Sequence, residues 1–427
     1  MKRKKGRVLF VPTICATVIA MMLTTNIGTR AAYADKVEVT PNPLGVEARS
    51  AILIDADSGQ VLYAVNAEKA FPPASMTKLM TEYLVLEEIS SGRLSLTDMV
   101  TATKEAASIP PDGSQIYLAE GDQHTVKDLY MAMAVQSAND ATIALADRIG
   151  GTEQGFVEKM NETAQALGLK TAHFTSATGL ADTTVISASD LAKFASILIK
   201  KHPEFLDFAK TPSYMFRQKD KMTNLNWMLE TNKSIPNFKQ YAYPGVDGMK
   251  TGYIGAAGYC FTGTAKRGDL RLISVVMDTA SKSARFIQTA KLFDYGFDNF
   301  EKKTLVAPKS VVETNKTVKI KKGVSKEVPI MTATDVTLLV KKNSTPNVTV
   351  SEVKLKDDGK LVAPIASGTV VGTATYAYKD PDTGQTLEKT VNLVTSEDVK
   401  KASWWRLMFR GLGGFISGLF KGIMDLF

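Results

Sequence analysis

The apolar positions of this chain follow three rhythms. The segment "ARSAILIDADSGQVLYAVNA" alternates, with Ile52 and Ile54 on one face, a turn at Asp57-Ser58-Gly59 and a second apolar run from Val61 to Ala64, which predicts a β-hairpin. Up to about residue 200 the period is helical, in Lys78 to Ser90, "VKDLYMAMAVQS", "ATIALADRIG", "FVEKMNETAQALGL" and "SASDLAKFASILIKK". Alternation returns near residue 245, where "MKTGYIGAAGYCFTGTAKRGDLRLISVVMD" reads as strands joined at Arg267-Gly268-Asp269. That tripeptide is read as a Gly-Asp hairpin turn rather than an adhesion motif. A helix from Ser281 to about Tyr295 closes the pattern. Strands first and last with helices between imply one antiparallel sheet covered by helices, an α+β domain over residues 35–300.

From 305 to 397 the runs are short and β-rich: "VETNKTVKIKKG", "VTLLVKK", "NVTVSEVKL", "GTVVGTATYAYKD" and "KTVNLVT", with turn residues between them. This predicts a small all-β domain, a spacer or partner surface without a chemical cluster of its own. The last segment, 400–427, changes again. From Trp404 apolar residues recur at 408, 409, 412, 415, 416, 419, 420, 423, 424 and 427, with Arg406, Arg410, Ser417 and Lys421 opposite. A helix through these residues would be about 36 Å long at ~1.5 Å per residue. Arg410, Lys421 and Asp425 interrupt any run long enough to span a bilayer. The expectation is a helix lying in a membrane surface, Trp404 and Trp405 at headgroup level and the basic residues near anionic lipid. Helix pairing through Gly414, Gly418 and Gly422, or packing on the protein's own core, are the alternatives.

The other end explains the charge. Residues 1–34 combine a basic start, an apolar stretch and "AYA" before Asp35, the layout of a cleaved export signal; a retained anchor is disfavoured because the apolar run is short. This segment holds six basic residues and no acid, so the chain without it carries 46 basic against 44 acidic residues. The tail from Lys400 takes five more bases and one acid, leaving 41 against 43. The overall +8 therefore belongs to the ends, and no nucleic-acid partner is expected. Cys15 falls within the signal, where Ile14 before it argues against lipidation, and Cys260 is then alone, so no disulfide is expected in the mature chain. His124, His173 and His202 are dispersed and form no local ligand pair. No metal and no cofactor is expected.

Within this frame three stretches attract chemistry. "PPASMTKLM" places Ser75 in the first turn of an apolar helix with Lys78 three residues on, where the two side chains share a face. The pattern alone is weak, since Ser351-Glu-Val-Lys354 repeats it in an alternating segment whose i and i+3 residues are expected on opposite faces. "QSANDAT" puts Ser137 and Asn139 between two helical segments, which caps would also explain. "DGMKTGY" puts Lys250, Thr251 and Gly252 at the start of a strand, where a lysine-guarded edge is the plain alternative. A Ser-x-x-Lys, a Ser-x-Asn about sixty residues later and a Lys-Thr-Gly on a late strand, in that order behind an export signal, are improbable together without a shared role.

With these motifs, "SAILIDADSGQVLYAVNA", "TGL" at 178–180, "AGYCFTGTAKR", the β domain and the amphipathic tail, the chain resembles the serine-type D-alanyl-D-alanine carboxypeptidases, the low-molecular-mass penicillin-binding class. The resemblance implies a β-lactamase/DD-peptidase-like fold and removal of the terminal D-Ala from peptidoglycan stem peptides through a serine acyl-enzyme. It also implies that β-lactams act as acylating inhibitors. Ser75 would be the nucleophile, Lys78 its base once neutral, Ser137 the proton shuttle and Asn139 a holder of the lysine and a substrate carbonyl. Lys250, Thr251 and Ser137 would receive the terminal carboxylate, and the backbone N–H groups of Ser75 and Tyr253 the oxyanion. The chain would sit on the outer face of the cytoplasmic membrane. Departures are Tyr253 where the family often has histidine, Ser176-Ala177 where it usually has Asn-Pro, and no clear carboxylate-binding arginine, Arg217 being the candidate. A β-lactamase, which would need a well-placed glutamate that neither Glu158 nor Glu162 offers, and a non-catalytic membrane scaffold are the alternatives.

Overall fold

The computed structural model describes residues 42–356, 360–380, 384 and 386–410. The expected export signal and the expected helix beyond Arg410 lie outside them, as do most residues of the segments 357–359 and 380–384, where turns are expected.

The sheet is antiparallel and five-stranded. Its strands in chain order are β1 (Ser50–Asp55), β2 (Val61–Val65), β3 (Val246–Ile254), β4 (Gly258–Arg267) and β5 (Leu270–Thr279), and they lie side by side as β2-β1-β5-β4-β3. The N-terminal hairpin therefore pairs with the last strand, and the helical segments are an insertion between β2 and β3. Every residue of β1 is buried, because both faces are covered. Ile52 and Ile54, with Ile273, Val275 and Met277 of β5, join the core under the inserted helices. Their alternates Ala51, Leu53, Leu272 and Val276 join a second core under the helix Ala284–Asn299. This is the period-two division of one sheet between two helical layers.

The inserted helices are α1 (Lys78–Ser90), α2 (Val126–Gln136), α3 (Asn139–Gly150), α4 (Glu153–Ala166) and α5 (Ala188–Lys201), followed by the short α6 (Phe205–Ala209); the closing helix is α7 (Ala284–Asn299). The first nine residues of α1 are all buried, including Lys78, Thr81 and Glu82, so it is a central helix rather than an amphipathic one. Three helices are capped as their sequences suggest: Thr125, Thr152 and Ser187 accept from the N–H groups of Asp128, Gly155 and Asp190. Arg267-Gly268-Asp269 turns between β4 and β5, with Gly268 at φ +61°.

The β-rich part starts at Phe300, five residues earlier than the sequence pattern indicated, with no linker after α7: Phe300–Val306 pairs with Val336–Lys341. A six-stranded sheet follows around a core that includes Ile320, Ile330, Ala374, Tyr376 and Leu393. The β-rich part touches the first domain at the β1–β2 turn, where Gln60 Nε2 donates to Asp380 Oδ2 at 3.0 Å and Lys302 pairs with Asp57.

The strand Thr349–Leu355 corrects one expectation. Val350 pairs with Tyr376 and Glu352 with Thr375, so Ser351 is the extra residue of a bulge. Ser351 and Lys354 consequently border the same exposed depression instead of opposite faces. They do not meet: Ser351 Oγ donates to Thr375 O, and Lys354 pairs with Glu352 at 2.8 Å.

Candidate active site

The nucleophile turn is shorter and tighter than a first helical turn. Pro72-Pro73 leads into Ala74 at φ +50°, then a 3₁₀ turn over Ala74–Thr77, and α1 begins only at Lys78. Ser75 sits half-buried on this turn, at the positive end of α1 and reachable from solvent.

Two glycines let other segments close on this turn. A Cβ on Gly252 would stand 2.5 Å from Pro73 O, and one on Gly179, at φ +76°, would stand 2.0 Å from Ala74 O. The first brings β3, an edge strand, against the serine; the second presses the segment 176–180 onto it from the helical side. Lys-Thr-Gly lies within β3 rather than at its start, and Lys250 and Thr251 are buried, so the plain reading of an exposed, lysine-guarded edge does not hold. Segment 176–180 is fixed in its turn: Ala177 N donates to Glu153 Oε1 at 2.8 Å, Thr81 Oγ1 to Ala177 O at 2.8 Å, and Gly179 N to Ser176 Oγ at 3.0 Å. Ser176 thus serves the turn in which the family usually carries Asn-Pro.

Lys78 is fully buried and its Nζ has three partners: Ser75 Oγ at 3.0 Å, Asn139 Oδ1 at 2.7 Å and Thr178 O at 2.8 Å. Burial holds its pKa well below the ordinary lysine value, with the Lys250 charge acting the same way and Glu82, Asp140 and Glu153 opposing. Burial also lowers Lys250; Glu82 opposes this and Arg285 adds to it. Among the described residues Lys250 Nζ makes one hydrogen bond, a long one of 3.3 Å to Thr251 O. Lys250 reaches the centre through its field on Lys78, and no hydrogen bond joins it to Ser75.

Ser137 follows α2 in the left-handed region, φ +61°, which turns the chain sharply enough for Asn139 to open α3. The Ser137 hydroxyl is buried and makes no hydrogen bond with another described residue. The loop 110–118 holds this junction: Asn139 N donates to Ser114 O at 2.7 Å, and the buried Asp140 carboxylate accepts from the N–H groups of Ile116, Leu118 and Ala141. Tyr253 is exposed and stacks on Tyr259, ring centroids 4.4 Å apart.

The arginine at this strand is Arg285, which sequence reasoning missed. It is buried on α7, and its Nη1 donates to Gly252 O at 3.2 Å. Arg217 is committed elsewhere, paired with Asp122 at 2.8 Å and lying over the Phe216 ring. Nothing local in "SARF" marks Arg285, because α7 packs on β4 and β5 and the side chain reaches β3 only at Gly252 O.

Serine, buried lysine, asparagine and the Lys-Thr-Gly strand therefore meet at one cleft, an arrangement able to activate a hydroxyl for acyl transfer. Residues 36–281 match the Peptidase_S11 family, D-alanyl-D-alanine carboxypeptidase, and residues 300–401 match the C-terminal domain of penicillin-binding protein 5. The chain belongs to the D-alanyl-D-alanine carboxypeptidase family. The carboxypeptidase is 37% identical to DacF of Bacillus subtilis over 90% of this chain and 93% of that one, and 34% identical to DacA of Haemophilus influenzae over 91% and 94%. Among solved structures it is similar to penicillin-binding protein 5 of Haemophilus influenzae, TM-score 0.66 at 33% identity over 85% of this chain and all of that one. It is also similar to penicillin-binding protein D2 of Listeria monocytogenes in its ampicillin-bound form, TM-score 0.53 at 35% identity over 60% of this chain and all of that one. Members of this family are serine hydrolases and bind penicillin; the β-lactamase and scaffold alternatives are not favoured.

Proposed function

We propose that the carboxypeptidase removes the terminal D-Ala of peptidoglycan stem pentapeptides by a Ser75 acyl-enzyme, with Lys78 as the base. The observation that carries this is the three-partner environment of Lys78. A neutral amine has two N–H donors and one lone pair. With Asn139 Oδ1 and Thr178 O taking the two hydrogens, the lone pair is left facing Ser75 Oγ. The same burial that fixes the geometry favours the neutral form.

Ser75 Oγ attacks the carbonyl carbon of the penultimate D-Ala while its proton passes to Lys78 Nζ. The oxyanion rests on the N–H groups of Ser75 and Tyr253. The C–N bond then breaks, and the leaving amine takes the proton back from Lys78 through the Ser137 hydroxyl. Lys250, Thr251 and Ser137 hold the terminal carboxylate, supported from behind by Arg285, which is why an exopeptidase is expected. Asn139 leaves its amide nitrogen for a substrate carbonyl. Water then attacks the ester carbonyl, its proton passing to Lys78 Nζ, and as the bond to Ser75 breaks Lys78 returns that proton to Ser75 Oγ, restoring the neutral amine. Penicillins acylate Ser75 by the same first step.

Export and membrane attachment belong to the same reading. The N-terminal segment has the layout of a cleaved signal, and the described start of the last helix presents an apolar surface. Trp404, Trp405, Met408 and Phe409 are exposed, the two indoles stacked at 3.8 Å. Arg410 ties this start to the β domain by bonds to Gly323 O and Val324 O, both 2.8 Å. Placed on the outer face of the cytoplasmic membrane, the enzyme would stand on its β domain with its cleft toward the cell wall.

Purified protein with a pentapeptide ending in D-Ala-D-Ala is expected to release D-Ala, and Ser75→Ala to lose at least about 10³-fold and to take no fluorescent penicillin label. Release that survives in Ser75→Ala overturns the nucleophile. A label lost within seconds would indicate a β-lactamase.

A further inference from the structure

One buried acid behind the site has no part in the steps above. Glu82 is 1% exposed on α1, four residues after Lys78, a spacing that puts the two on one helix face. Three basic side chains of the site are buried as well, Lys78, Lys250 and Arg285. The buried Asp140 carboxylate is taken up by three backbone N–H groups, and Glu153 Oε1 by Ala177 N. Glu82 Oε1 has no hydrogen-bond partner among the described residues. It is therefore the buried acid whose charge remains available to the lysines, and a buried charge persists only with a compensating one nearby.

We propose that Glu82 is the internal counter-ion of the two active-site lysines, a positioning residue whose carboxylate keeps Lys250 cationic for the substrate carboxylate while Lys78 stands neutral. This rests on the roles given to Lys78 and Lys250 above. The groups that face it are Lys78 from its own helix, Lys250 from β3 and Tyr130 from α2. Beyond these, Arg285 acts on Lys250, Asp140 and Glu153 act on Lys78, and Glu204 acts on Tyr130. The Tyr130 hydroxyl lies near enough to draw the Glu82 pKa down, though no hydrogen bond of good geometry joins them. Burial outweighs all of these and raises Glu82, so its negative charge fades as pH falls.

The consequence is asymmetric. Removing the carboxylate lowers the pKa of both lysines. On the alkaline side Glu82 is ionised and its loss is felt in full: Lys250 discharges at lower pH and carboxylate binding weakens. On the acid side Glu82 is already protonating, so the limb set by Lys78 moves less.

The test is the pH profile of kcat/KM for D-Ala release by the full mature chain. In Glu82→Gln the alkaline limb is expected about one pH unit lower, so that activity at pH 9, relative to pH 6, falls about tenfold, with the loss in KM. The acid limb should move by less than half as much, and Glu82→Asp should restore the alkaline limb. Both limbs unmoved in Glu82→Gln that still takes fluorescent penicillin would overturn the proposal, because a merely structural role rescales activity without moving a limb. Should Glu82→Gln fail to fold, Glu82→Ser, smaller and equally neutral, is expected to move the alkaline limb the same way by about one unit, or tenfold; an unmoved limb there is equally adverse. Unmoved limbs beside a dead Ser75→Ala sink the counter-ion alone, whereas D-Ala release by Ser75→Ala sinks the underlying roles.

Discussion

At the scale of single residues the cleft depends on backbones approaching more closely than side chains permit. Gly252 is the clearest case: its missing Cβ is what lets β3 lie against Pro73 O, Ala74 and Met76. Gly252→Ala must push the strand away by several tenths of an ångström, carrying with it the Tyr253 N–H proposed for the oxyanion and the Thr251 hydroxyl. A displacement of about 1 Å can cost about 10²-fold in rate. We expect acylation by fluorescent penicillin to slow by about that factor, with a lower melting temperature as well, since Ala74 and Met76 belong to the core under the inserted helices. An acylation rate within twofold of wild type would show that the approach of β3 is not what sets the geometry. The Lys78 environment works in the same way, through a carbonyl at 178 that is in place because Gly179 has no side chain to keep it off Ala74.

At the scale of elements the sheet is a partition, and each face can be tested separately. Phe293 of α7 is fully buried against the face that carries Leu53 and Leu272, away from the cleft. Phe293→Ala is expected to destabilise the protein by about 3–5 kcal/mol, read as a lower midpoint in urea, while penicillin acylation measured well below the midpoint stays within severalfold of wild type. Acylation abolished in the folded variant would mean that α7 transmits its packing to β3, for which Arg285 is the available link. The β1–β2 hairpin, the helical insertion and the β4–β5 turn were legible because their hydrophobic periods and turn residues are local. The three motifs were legible because each holds its residues within a few positions. Glu82 was not, because "LMTEYL" reads as an apolar helix with an outward acid, whereas α1 is buried all round. Arg285 was not, because it meets Lys-Thr-Gly only through the packing of α7. The bulge at Ser351 defeated strict alternation, since one extra residue exchanges the faces beyond it.

At the scale of the whole molecule the chemistry and the proposed membrane attachment fall in different parts of the chain, so they should separate in experiment. The cleft lies between the helical insertion and β3, and the β domain carries the stacked Trp404–Trp405 pair beyond its last strand. Trp404, Trp405, Met408 and Phe409 present apolar surface to solvent, which is costly for an isolated protein and favourable at a bilayer interface. Arg406 and Arg410 flank them, and each cation near an anionic surface adds about 1 kcal/mol. Replacing the two tryptophans with alanine should reduce cosedimentation with vesicles containing about a third anionic lipid by roughly tenfold or more, because indole burial supplies much of the interfacial affinity. High salt should weaken the wild type only in part, screening the arginines but leaving the aromatic contribution. Release of D-Ala from a soluble pentapeptide should be unchanged in the double variant, since the contacts that hold this segment go to the β domain, from Arg410 to Gly323 O and Val324 O. Wild-type vesicle binding by the double variant would move the attachment to the residues beyond Arg410, and loss of soluble activity would tie the tail to the cleft rather than to the membrane.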